Sequence, residues 1–263
     1  MLDMIAKERR NRIQEIIAKE GVVETSQLAE LLEVSVETIR KDFLVLEKAN
    51  QISRTHGGAV SRMEIKPKHD LIKRSTQYNA EKQQVALKAI EFISENDIIG
   101  IDSGSTALIF AEALKEHFSS LTVITPSLDV FQILSSHANF QMILCGGIFL
   151  KTENSFVGVP ALDMLKNLHM HKSFIFPTAI SLEYGIYGYC NDFTEVQRQF
   201  IKSSEKVFML ADSSKFEKKA LMKICGTQKD FYYITDEHIP DETKQMWHES
   251  DMKLFVYDKS KTE

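Results

Sequence analysis

Three cysteines in 263 residues, Cys145, Cys190 and Cys225, are too few and too scattered for a disulfide framework, and their spacing fits no metal site. They suit a reducing cytoplasm, as small buried apolar groups. No apolar run is long enough to span a bilayer. The N-terminal stretch from about Ile5 to Glu20 is charged and amphipathic, unlike the apolar core of a signal peptide. A cytoplasmic protein with no membrane partner is therefore expected. Positive charge is not in excess either: 32 Lys and Arg against 37 Asp and Glu leave a net charge of −5, which argues against indiscriminate adhesion to nucleic acid. With 11 Gly and 5 Pro there is no low-complexity tract, and no internal repeat is visible. Histidines 69, 117, 137, 169 and 171 are scattered, and His169 and His171 are too close to share a helical face, so neither a metal nor another cofactor is expected.

The length allows two domains, and hydrophobic and charged fractions of 43% and 26% are those of an ordinary globular chain. The richest stretch is VETSQLAELLEVSVETIRKDFLVLEKANQISRTHGG, from Val23 to Gly58. Leu28, Leu31 and Leu32 mark the buried face of a short helix with Thr25 as its N-cap. Glu33-Val34-Ser35 makes the turn and Ser35 caps a second helix, whose inward stripe is Val36, Ile39, Phe43 and Leu46. The outer face carries Glu37, Thr38, Arg40 and Lys41, chemistry suited to a major groove, where Arg bonds guanine and Thr reaches a base or phosphate. Ile52 to Val60 reads as strand, turn, strand, with Gly57-Gly58 permitting a tight turn and Arg54 and His56 on the resulting wing. Residues 1–61 hold nine Lys and Arg against ten Asp and Glu. DNA binding must then depend on placement, with Arg9, Arg10, Arg12, Arg40, Lys41 and Arg54 toward phosphate.

Residues 62–78 are polar and locally basic and read as a linker. Beyond them, helical periods alternate with short apolar strands at 97–101, 121–125, 140–144, 172–176, 206–211, 231–235 and 253–257. The second domain, 79–263, is expected to be a Rossmann-like α/β fold with a mostly parallel sheet covered on both faces.

Ligands of open α/β sheets gather beyond the carboxyl ends of strands. Asp102-Ser103-Gly104-Ser105-Thr106 follows one strand and opens a helix, an anion cradle of amides and hydroxyls. Thr125-Pro126-Ser127, Gly146-Gly147, and Ser155 to Gly158 follow further along, and Ala211 to Phe216 supplies the cation Lys215. Asp192 and Glu195 open a helix, where acids meet the helix dipole without needing a catalytic role.

The run LAELLEVSVETIRKDFLVLE…ISRTHGGAV resembles the N-terminal domain of the DeoR family of bacterial transcriptional regulators. EKQQVA, DSGST, the T-x-S and GG loops, S-x-V-G and ADSSKF resemble the same family's sensor domain. The resemblance spans nearly the whole chain. It implies a winged helix-turn-helix (helix-turn-helix about 23–42) joined to a sensor similar in fold to ribose-phosphate isomerases and coenzyme A transferases. It further implies double-stranded operator DNA as partner, contacted by Thr25, Ser26, Ser35, Val36, Glu37, Thr38, Arg40, Lys41, Arg54 and His56. A phosphorylated sugar would be the effector, held by Asp102, Ser103, Gly104, Ser105, Thr106, Thr125, Ser127, Gly146, Gly147, Ser155, Gly158 and Lys215. Two departures stand out: Pro126 replaces the amide of the usual T-N-S loop, and Phe176 to Ser181 lacks the usual glycines. The expected role is a non-enzymatic regulator, a repressor of a carbohydrate uptake or catabolism operon acting as a homo-oligomer, dimer or tetramer. A sugar-phosphate isomerase-like enzyme with a DNA-binding appendage is the alternative.

Overall fold

A computed structural model describes residues 6–20, 22–48, 52–55, 58–61 and 71–259. The chain divides into two compact units, Met1–Lys68 and His69–Glu263. Among the described residues, no helix is long and apolar enough to cross a membrane.

The first unit runs α1 (Ala6–Glu20), β1 (Val22–Glu24), α2 (Thr25–Leu31), α3 (Val36–Lys48), β2 (Ile52–Thr55) and β3 (Gly58–Ser61). Its antiparallel sheet has the order β1-β3-β2. Ile13, Ile17, Leu28, Leu32, Ile39, Phe43, Leu46 and Ile52 meet in one core. Three expectations change here. Thr25 is not the N-cap: β1 runs directly into α2, Glu24 takes the cap position, and Thr25 turns inward in the first turn, 8% exposed. Leu31 is 64% exposed, because α2 is two turns long and its inner face is taken by Thr25, Leu28, Ala29 and Leu32. Val36 is 39% exposed at the entrance to α3, ahead of the core that Ile39, Phe43 and Leu46 reach. Ser35 caps α3 as expected, its Oγ accepting from Thr38 N at 3.1 Å. Gly58 lies in β3, opposite Glu24, and a Cβ there would collide with the Val23 carbonyl oxygen. Close strand approach is thus what this glycine provides. His56 and Gly57 lie outside the described residues.

The second unit opens with α4 (Leu71–Ser75), inside the stretch expected as linker, and α5 (Asn79–Ile90). It continues β4 (Ile98–Ile101), α6 (Ser105–His117), β5 (Thr122–Thr125), α7 (Leu128–Ser135) and β6 (Gln141–Leu144). After a hairpin of β7 (Ile148–Leu150) and β8 (Ser155–Val157) come α8 (Val159–Lys166), β9 (Met170–Ile175), β10 (Ala179–Ser181), β11 (Gly185–Gly188) and α9 (Asn191–Lys202). The chain ends with β12 (Ser204–Leu210), β13 (Met222–Cys225), β14 (Tyr232–Thr235), α10 (Asp241–Glu249) and β15 (Lys253–Val256).

Seven strands form a parallel sheet in the order β15-β14-β12-β9-β4-β5-β6. Alternate side chains point to opposite faces, so Ile99, Phe174 and Phe208 join Phe110, Leu114 and Leu134 in one core, while Ile175, Met209 and Tyr233 join Leu165, Phe200 and Trp247 in another. A parallel strand buried on both faces needs such unbroken apolar runs. From β4 the chain steps outward through β5 and β6, then crosses to β9 on the other side of β4. The connection therefore reverses between β4 and β9, the position where open α/β sheets bind ligands. A second, antiparallel sheet of β10, β11 and β13 was not anticipated from the sequence.

Candidate functional site

The outer face of α3 is polar and open. Ser26, Ser35, Val36, Glu37, Arg40 and Lys41 are exposed and Thr38 is half-buried. Thr25 is buried and does not belong to this surface. Arg40 Nη1 stands 3.6 Å from Glu37 Oε2, both side chains 64% exposed. An exposed pair of this kind contributes only about 0.3–0.5 kcal/mol, so a phosphate or base edge readily displaces it. Arg9, expected toward phosphate, instead donates from Nε to Asp42 Oδ2 at 2.6 Å beneath the outer face of α3. Arg10 Nε is 3.9 Å from the same carboxylate, and Asp42 is 4% exposed. A carboxylate this deep needs a cation. The sequence offered no sign of it, because position 42 reads as one more polar residue between Lys41 and Phe43. Arg54 lies on β2.

At the β4–β9 reversal, the five residues Asp102 to Thr106 are all buried, and α6 begins at Ser105. Gly104 holds φ +143, a conformation that L side chains rarely adopt. Ser103 Oγ donates to the Glu153 carbonyl at 3.0 Å. The segment after β7 then clamps the neighbouring loop: Leu128 N donates to Asn154 O at 2.9 Å, Phe156 N donates to Pro126 O at 2.9 Å, and Ser127 bridges to Ser155. Asp102, Ser103, Thr125, Ser127 and Ser155 are brought together around residues 153–156. Ser127 also caps α7, accepting from Val130 N at 3.3 Å. Gly146 and Gly147 are exposed beyond β6, and Gly158 precedes α8.

Several residues that sequence reasoning passed over complete this edge. Glu153, 1% exposed, accepts both bonds of Arg74 Nη2, at 2.6 and 2.7 Å. Lys82, 3% exposed, donates to the Arg74 and Gln77 carbonyls, fixing the end of α4. Lys215 Nζ lies 3.6 Å from Asp212 Oδ2. Burial, then the neighbouring Lys215 cation, lowers Lys82 to about 8; burial also lowers Lys215, with Asp212 opposing. Arg74, Lys82 and Lys215 therefore feel one another's charge, and an anion would relieve that repulsion. Lys82 lies within the EKQQVA motif, but no spacing rule distinguishes it from a solvated helical lysine.

Asp102 is fully buried and accepts on Oδ2 from Gln197 Nε2 at 2.8 Å and Phe176 N at 3.4 Å. Burial raises it to about 7, the Gln197 bond opposing. A carboxyl raised above its unfolded value gives stability that is complete below about pH 4 and is lost as pH rises through 7. Asp102→Asn mimics the neutral acid. It is expected to stabilise the second unit at pH 8 by up to roughly 4 kcal/mol relative to the parent, with almost no difference near pH 4. Melting followed by Trp247 fluorescence at the two pH values checks this; equal differences would mean that Asp102 is not neutral when folded.

Glu195, weighed as a catalytic carboxylate, is paired with Arg198 on its own helix. Among the described residues, no group of His, Cys, Asp and Glu is arranged to hold a metal.

Residues 77–237 match the model of the DeoR C terminal sensor domain, and residues 9–64 match that of the DeoR-like helix-turn-helix domain. The chain belongs to the DeoR family. Its DeoR relatives include the HTH-type transcriptional regulator GolR of Listeria innocua, 32% identical over 90% of this chain and 92% of that protein. The L-fucose operon activator of Haemophilus influenzae is 29% identical over 93% and 97%. The glycerol-3-phosphate regulon repressor of Escherichia coli is 29% identical over 94% and 97%. This DeoR chain is accordingly a DNA-binding transcriptional regulator with an N-terminal reader and an α/β sensor.

Proposed function

We propose that the chain represses a carbohydrate uptake or catabolism operon, binding double-stranded operator DNA as a homo-oligomer and releasing it when a phosphorylated sugar occupies the β4–β9 edge. The observation that carries this reading is the gathering of Arg74, Lys82 and Lys215 beside the Asp102–Thr106 helix entrance. Cations beside a helix N-terminus favour a phosphate. Here Arg74 and Lys215 also face the carboxylates of Glu153 and Asp212, which leaves one net positive charge among the five groups to support the reading. Relatives named for L-fucose and glycerol-3-phosphate control support the metabolite class. Ser26, Ser35, Val36, Glu37, Thr38, Arg40 and Lys41 form the proposed DNA surface, together with Arg54 of β2. One reader offers too few contacts for operator affinity, hence the oligomer. Release requires tighter effector binding to the DNA-incompetent state; equal affinity shifts nothing. No turnover is part of this reading.

Arg40→Ala with Lys41→Ala is expected to weaken binding to the protein's own promoter fragment at least a hundredfold at fixed salt, each good base contact being worth about 1–3 kcal/mol. Retained specific binding would remove α3 as the recognition helix. Addition of the cognate sugar phosphate should release the parent protein from that fragment; conversion of aldose to ketose phosphate by the purified chain would favour the isomerase instead.

A further inference from the structure

The cations proposed to take the anion are also the groups that hold α4. Arg74 stands on α4 itself, and its Nη2 donates to both oxygens of the buried Glu153 carboxylate. Lys82, on α5, donates to the Arg74 and Gln77 carbonyls, where α4 ends. Leu71 is 8% exposed, and α4 packs on α6, the helix that opens beside Gly104. Between α4 and α5 stands Tyr78, half-exposed and with φ +54. A bulky residue is strained in this left-handed region, and little of its own packing offsets the strain. α4 is also the first element after the division between the units at Lys68 and His69.

We infer that α4 transmits effector binding to the reader: docked on Glu153 and α6 it belongs to the anion-binding, DNA-releasing state, and undocked it belongs to the DNA-binding state. This rests on the effector reading above and names how that site is regulated. The physical argument is linkage. When α4 undocks, Arg74 leaves the site and Lys82 loses the carbonyls that orient it, so an anion finds fewer donors. An anion therefore binds the docked arrangement more tightly and shifts the population toward it. It also eases the repulsion that docking imposes among Arg74, Lys82 and Lys215. The Tyr78 backbone opposes docking, which keeps the two arrangements close in energy. Docking fixes the point from which the connection to the reader leaves, and in an oligomer that point sets the separation two readers can reach.

Two substitutions outside the anion contacts push this equilibrium in opposite directions. Leu71→Ala removes the apolar anchor of α4 and favours undocking, whereas Tyr78→Gly accepts the positive φ and favours docking. On the full chain without phosphate, Leu71→Ala should bind the protein's own promoter fragment about threefold tighter than the parent, and Tyr78→Gly about threefold weaker. Calorimetry with inorganic phosphate should give the reverse order, Leu71→Ala weaker and Tyr78→Gly tighter, because the coupling is reciprocal. Hydrogen exchange of the 71–78 amides in the parent should slow when inorganic phosphate binds. The melt of Trp247, buried in the second unit, checks that each variant is folded, and Tyr78→Gly decides alone if Leu71→Ala is not. DNA affinities unchanged in the folded variants, or exchange at 71–78 that bound phosphate does not slow, overturn the inference. Failure of inorganic phosphate to bind the parent overturns the anion site instead, and the phosphate-free DNA affinities still decide whether α4 acts on the reader.

Discussion

Phe43→Ala is expected to abolish DNA binding while the second unit stays folded. Phe43 is 1% exposed in a core of modest size, packed with Ile13, Ile17, Leu28 and Ile39. Truncating a buried Phe to Ala costs about 3–5 kcal/mol, from lost transfer energy and the cavity left behind. A unit of this size has a total stability of roughly 3–9 kcal/mol, so the loss consumes most of it. The single tryptophan makes the experiment clean. Trp247 is wholly buried in the second unit, donating from Nε1 to Glu217 Oε1 at 2.8 Å, and reports on that unit alone. Its fluorescence melt should be unchanged, while promoter binding disappears and the circular-dichroism transition of the reader is lost. A Trp247 transition that falls together with DNA binding would show that the two units do not fold independently.

Replacement of Glu153 should move stability and anion affinity in opposite directions. Its carboxylate is buried and takes both bonds from Arg74, and breaking a buried pair costs about 3–5 kcal/mol. The Arg74 side chain keeps 23% exposure, which places the expected loss near the lower end, about 3 kcal/mol. Glu153→Gln retains an acceptor and the backbone carbonyl that holds Ser103, so the loop around Asp102 stays in place. What changes is charge: Arg74 is no longer neutralised beside Lys82 and Lys215. Inorganic phosphate should then bind several-fold tighter, even as the Trp247 melting temperature drops by several degrees. If both quantities fall, Arg74 does not face the anion and serves only to anchor α4.

The contrast between what could and could not be anticipated follows one physical line. Repeating apolar signals were legible: the Ile39, Phe43 and Leu46 stripe, the strand and helix alternation, and the Ser35 cap all leave periodic or local marks. The positions of the loops leaving strands were legible too, since DSGST and ADSSKF are short polar runs directly after β4 and β12. Thr25, Leu31 and Val36 were misplaced because each sits at a helix end, where the angle of chain entry, rather than period, decides what is inside. Arg74, Lys82, Glu153 and Gln197 escaped for a different reason. They are long polar residues on helices or a loop, the pattern of a solvated surface, and only the folding of distant segments onto the sheet edge buries them. The sheet of β10, β11 and β13 has strands of three or four residues, too short for alternation to show.

The ion pair beneath α3 has a consequence for gene structure. Asp42 lies on the inward side of α3, and its cation comes from Arg9 in the first turn of α1, with Ile13 and Ile17 filling the core behind it. An initiation codon used beyond Arg9 would produce a protein with every exposed residue of α3 present, yet with a carboxylate stranded under them. Such a short form would keep the second unit intact while carrying a reader that is strained from beneath, a defect invisible in its exposed side chains.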